Sequence, residues 1–78
     1  MNYVYLLRLF DNTIYTGSTK DVKNRLEKHI SGSVLATKGK RSLQLVYYCA
    51  FRSKDNAIKF ERYLKTGSGQ AFRNKHLL

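Results

Sequence analysis

Apolar positions repeat along this chain with two different periods, and the switches between them mark out its elements. Residues 2–10 alternate loosely and are rich in Tyr, Val, Leu and Phe, which predicts a strand. Asp11-Asn12-Thr13 predicts a turn in which Asn12 takes a left-handed conformation, and residues 14–17 form the returning strand. A helical period follows. Ser18, Thr19 or Asp21 can cap its start, and Gly32 suits its end. Residues 33–42 read as a basic loop. Leu43 to Phe51 is a nearly continuous apolar run, as expected of a central strand covered on both faces. A second helix is capped by Ser53 and ended by Gly67. Residues 69–78 predict a short third helix packing Ala71, Phe72, Leu77 and Leu78. The order β-β-α-β-α-α predicts an α+β fold in which a small three-stranded mixed or antiparallel sheet is flanked by helices. Residues 1–78 hold no proline, repeat or linker, so a single domain is expected.

The hairpin turn decides where two tyrosines go. A two-residue loop puts Tyr5 and Tyr15 on opposite faces, and a three-residue loop over Asp11 to Thr13 puts them on the same one. A left-handed Asn12 favours the odd loop. Gly17 would then end the strand where bare backbone can approach a ligand, or simply mark an irregular strand end.

The helices carry polar residues in unexpected places. In the first, Val22, Leu26 and Ile30 define the apolar stripe. His29 lies beside that stripe and Arg25 at its edge, stacked at i, i+4. In the second, Ala57, Ile58, Phe60 and Leu64 form the stripe, and Glu61 falls inside that arc. An inward carboxylate must meet a cation, a metal or a set of donors. Taken singly, each residue also has a plain reading. Glu61 would be an ion-pair partner, Arg25 a solvated side chain, His29 a hydrogen-bonded core histidine and each tyrosine packing.

Charge then narrows the partners. Fifteen Lys and Arg face five Asp and Glu, a formal charge of +10. Such a surface attracts polyanions, DNA first and RNA as the alternative, and no broad apolar helix face suits a membrane. Lys20, Lys23, Lys28, Lys38, Lys40 and Arg41 would track a phosphate backbone without reading sequence, although "KGKR" is equally a solvated loop. The lone Cys49 excludes an internal disulfide and is expected as a small buried hydrophobe. A reducing, cytoplasmic setting fits it, and neither a signal peptide nor a membrane span is expected.

The ordered set of Tyr3-Val4-Tyr5, Tyr15-Thr16-Gly17, Arg25 eight residues after that glycine, and "FERYLKTGSG" resembles the GIY-YIG nuclease domain. The likeness covers nearly the whole chain. It resembles small stand-alone bacterial members, which are similar to the nuclease domain of the DNA-repair excision endonuclease C subunit. Two departures are Tyr3 for the glycine of the first triplet and Thr16 for the isoleucine of the second. The resemblance implies a metal-dependent endonuclease. Tyr5 and Tyr15 match the two family tyrosines, Arg25 the helix arginine, Glu61 the metal-binding glutamate, His29 a histidine of some branches, and Asn74, loosely, a late asparagine. It implies that Glu61 holds one Mg²⁺ or Mn²⁺ and that Arg25 grips the scissile phosphate. One tyrosine would deprotonate water, its phenolate eased by nearby positive charge, and His29 would relay the proton. The alternative is a non-enzymatic basic module that keeps the fold and binds nucleic acid.

Overall fold

The computed structural model describes residues 1–32, 34 and 42–78. The predicted loop residues Lys38, Lys40 and Arg41 lie outside them. Strands β1 (Asn2–Arg8), β2 (Ile14–Thr19) and β3 (Gln44–Phe51) and helices α1 (Val22–Ile30), α2 (Lys54–Leu64) and α3 (Gly67–His76) follow one another in the expected order β-β-α-β-α-α. All strand pairs are antiparallel, in the spatial order β2-β1-β3. Among the described residues no helix is long and apolar enough to cross a membrane.

The central strand is β1, not β3. Val4, Tyr5, Leu6 and Leu7 are all buried, because helices cover both faces of β1 and both of its edges are paired. β3 is an edge strand, and Tyr48 stands 57% exposed on it. Its apolar run reflects aromatic residues lying along a partly open face. A bulge against Leu6 and Leu7 adds Val46 to this strand.

The hairpin loop has three residues, one position earlier than predicted. Leu9 N–H donates to the Thr13 carbonyl and Asn12 N–H to the Leu9 carbonyl, both at 2.9 Å. Phe10, Asp11 and Asn12 form the loop, and Asn12 takes φ 66°. Asp11 Oδ1 accepts from the Thr13 N–H and hydroxyl and stiffens it. Moving an odd loop by one residue shifts the register by two and preserves the faces. Tyr5 therefore pairs with Gly17 and Leu7 with Tyr15, all on one side.

That side carries Tyr5, Leu7 and Leu9, with Tyr15, Leu26 and Leu45 packed against them. The other side carries Val4, Leu6, Ala57 and Leu64, joined by Phe51, Phe60 and Leu77. Each fully buried aliphatic side chain contributes about 1.5–3 kcal/mol.

Three helix expectations change. Ile30 is 66% exposed and His29 takes the inward place, 1% exposed, because its ring finds aromatic neighbours and a hydroxyl partner. Gly67 does not end α2. α2 stops at Leu64, Thr66 caps α3 through its hydroxyl, and Gly67 opens that helix. α3 packs through Leu77 and the bare backbone of Gly69, while Ala71, Phe72 and Leu78 remain exposed.

Candidate active site

The site is built around the edge strand β2. β1 presents Tyr5 and β2 presents Tyr15 on the α1 side, their ring centroids 6.3 Å apart. Asp21 caps α1 by accepting from the Asn24 N–H, which sets the helix start and hence the rotation of its faces. Arg25 and His29, one turn apart, then point at the phenols. The His29 ring lies 5.7 Å from that of Tyr5 and 5.0 Å from that of Tyr15, both edge-on. Tyr5 Oη and His29 Nε2 are hydrogen-bonded at 2.8 Å.

Gly17 is what lets this happen. Its strand runs on to Thr19, so it is not a strand end. A Cβ at Gly17 would lie 2.5 Å from Tyr5 Oη, 2.6 Å from its Cζ and 3.0 Å from Tyr15 Cε2. The space a side chain would fill is taken by the Tyr5 phenol, which crosses the glycine to reach His29.

Electrostatics follow from burial. Desolvation pushes the Tyr5 phenol up to about 12, although Arg25 beside it pulls the other way. The expectation of an easily formed phenolate is therefore reversed at Tyr5: the ring is too deeply buried for the positive neighbour to prevail. Contact with the Tyr5 phenol raises Arg25 further above the ordinary arginine range, against the cost of its own burial. Arg25 Nε is buried without a hydrogen-bond partner, and among the described residues no carboxylate pairs with this guanidinium. Burial, then the Arg25 charge, lowers His29 below its ordinary 6.5, so the imidazole is neutral at pH 7.

Glu61 approaches β2 from the opposite face. Ser18 follows Gly17 and so points to the α2 side, where its hydroxyl donates to Glu61 Oε1 at 2.7 Å. Lys65, one turn further along α2 and its C-cap, holds Oε2 at 2.8 Å. Burial pushes the Glu61 carboxyl up, but the bonds from Lys65 and Ser18 and the charges of Lys65 and Arg62 outweigh it. The net shift is downward and the group is ionised. Its charge still reaches Tyr5 across the strand. Among the described residues no three His, Cys, Asp or Glu side chains gather.

The phenols, Arg25 and His29 thus meet on one face, and Glu61 stands at the same edge on the other. Lys20 and Lys23 line a groove beside the start of α1, while Lys28 is exposed on its last turn. Asn74 is exposed and accepts from Arg73 Nε, and it is Arg73 that lines a hollow with Tyr15 and Lys65. Sequence reasoning missed Ser18 and Lys65 as the partners of Glu61. The i, i+4 spacing of Lys65 was readable, whereas Ser18 is 43 residues away.

The chain is 40% identical over 70 residues to UPF0213 protein SSP2268 of Staphylococcus saprophyticus, covering 88% of this chain and 85% of that one. It is equally identical, over the same length, to UPF0213 protein SAG0778 of Streptococcus agalactiae, covering 80% of the latter. The solution NMR structure of UPF0213 protein BH0048 from Bacillus halodurans superposes with a TM-score of 0.61. It shares 37% identity over 96% of this chain and 84% of that one. Residues 1–75 match the family described as the GIY-YIG catalytic domain, and the chain belongs to that nuclease-associated family.

Proposed function

We propose that the protein is a divalent-metal-dependent endonuclease that hydrolyses phosphodiester bonds in DNA by a single-metal route. The observation that carries this reading is the meeting of an uncompensated guanidinium, a bonded phenol–imidazole pair and a second phenol on one side of Gly17, with an ionised carboxylate on the other.

Arg25 is not held by any described carboxylate, so its planar donors suit a phosphate. A phenol at about 12 is ionised in only about one molecule in 10⁵ at pH 7, too few for a standing base. Tyr5 acts instead as a relay. Its oxygen takes a proton from the attacking water as its own proton passes to neutral His29 Nε2. Tyr15 orients the water. Glu61 suits Mg²⁺ or Mn²⁺, since one ionised carboxylate leaves most positions of a hard cation to water. Such an ion, when bound, stabilises charge on the phosphate oxygens and acidifies water. The exposed Lys65 side chain must release Oε2 for this.

The test is nicking of supercoiled plasmid in Mg²⁺ or Mn²⁺. Glu61→Gln keeps the Ser18 bond and is expected to lower the rate by about 10² or more, with circular dichroism and DNA binding retained. Equal rates for the two proteins would refute the reading. A second reading, a binding module without catalysis, is favoured by the engagement of both Glu61 oxygens. DNA binding with no metal-dependent nicking by the wild type would support it.

A further inference from the structure

Beside the site, on the same face of the sheet, lies a groove of about 480 Å³ that the proposed chemistry does not use. It is lined by Leu26 and Leu45, the rings of Tyr3 and Tyr48, and Lys20 and Lys23. The Tyr3 and Tyr48 rings are 6.3 Å apart and tilted by 57°. Tyr48 is 57% exposed, so part of its ring is open to a ligand. Asp21 also borders the groove, but its carboxylate is spent on capping α1.

We infer that this groove holds an unpaired nucleotide of a single-stranded segment, which makes single-stranded or flapped nucleic acid the preferred substrate class. The inference rests on the nucleic-acid reading above. Aromatic faces beside paired lysines match a flat base carried on an anionic backbone, and the chain is cationic throughout. A base stacks on the open face of Tyr48, and the flanking phosphates lie along Lys20 and Lys23. Duplex bases are already stacked and do not enter. Tyr48 is the cross-strand partner of Tyr5. The groove therefore adjoins the strand that carries the tyrosine proposed as the relay.

The experiment is fluorescence anisotropy of the full chain with a labelled oligothymidylate and with a labelled hairpin duplex. Tyr48→Ala is expected to weaken oligothymidylate binding about tenfold, within the range for one lost stacking contact, and to change duplex binding less than twofold. Tyr48→Phe keeps the ring and the affinity. Tyr63→Ala, which removes an exposed aromatic on α2, changes neither. Lys20→Ala with Lys23→Ala weakens single-strand binding and flattens its salt dependence. Wild-type binding to both probes with Tyr48→Ala unchanged, or weakened equally on both, overturns the groove while sparing the nucleic-acid reading. Binding of the wild type to neither probe overturns both.

Discussion

At the scale of single residues, Gly17 and His29 are the informative positions. Gly17 is needed for steric rather than conformational reasons, since a Cβ would meet the far end of Tyr5 at 2.5 Å. That phenol cannot simply step aside, because it is bonded to His29 and packed against Arg25. Gly17→Ala is expected to cost about 1–3 kcal/mol, read as a lower melting temperature, and to reduce nicking more than it reduces binding. An unchanged melting temperature would mean the ring has room to move. His29 supplies a pH signature. Its folded-state pKa lies below 6.5, so between the two values the unfolded chain binds more protons than the folded one. Stability is therefore fully present above pH 6.5 and is lost as the pH falls through the folded value. Glu61, also lowered, adds its own loss only below its ordinary 4.5. Urea midpoints of wild type and His29→Gln at pH 7.5 and 5.5 check this, the variant losing less on acidification.

At the scale of elements, several signals between covalent neighbours were legible. Asn12 in the left-handed region, Ser53 and Asp21 as N-caps and Gly32 after α1 all stand as the residue types imply. The α2–α3 corner was misread because a glycine that could end one helix can equally open the next. The signal that decides it is Thr66, whose hydroxyl accepts from the Gly69 N–H. A Cβ at Gly69 would fall on the Tyr63 carbonyl. Gly69→Ala should consequently force α3 away from α2 and lower the melting temperature more than Gly67→Ala, where nothing lies nearby. Equal effects would show that helix propensity, not packing, governs the corner. Ile30 and His29 exchanged their expected places for a related reason. Periodicity ranks positions by hydrophobicity, but a histidine offered two rings and a hydroxyl is better satisfied inside than an isoleucine offered no pocket.

At the scale of the whole molecule, the sheet divides the labour. One face joins aromatic rings, Arg25 and the Tyr48 groove, the other supports α2 and α3, and at Gly17 and Ser18 of β2 the Tyr5 phenol and the Glu61 carboxylate reach the same strand from opposite faces. The net charge of +10 belongs to this scale too. With about five phosphate contacts, log K for DNA should fall against log salt with a slope near −4 to −5. Titration between 50 and 200 mM salt tests it, and a slope near zero would remove electrostatics as the source of affinity.

The order of strands and helices, the odd hairpin loop, the shared face of the two tyrosines and the cationic character were determined by the sequence alone, because each depends on near neighbours, periodicity or a sum over residues. Only the tertiary structure decided that β1 is central, that Tyr5 fills the space over Gly17, that His29 is buried and bonded to it, and that Glu61 is held by Ser18 from across the sheet. Those facts depend on which distant segments lie against each other, and so does the burial that raises Tyr5 and lowers His29.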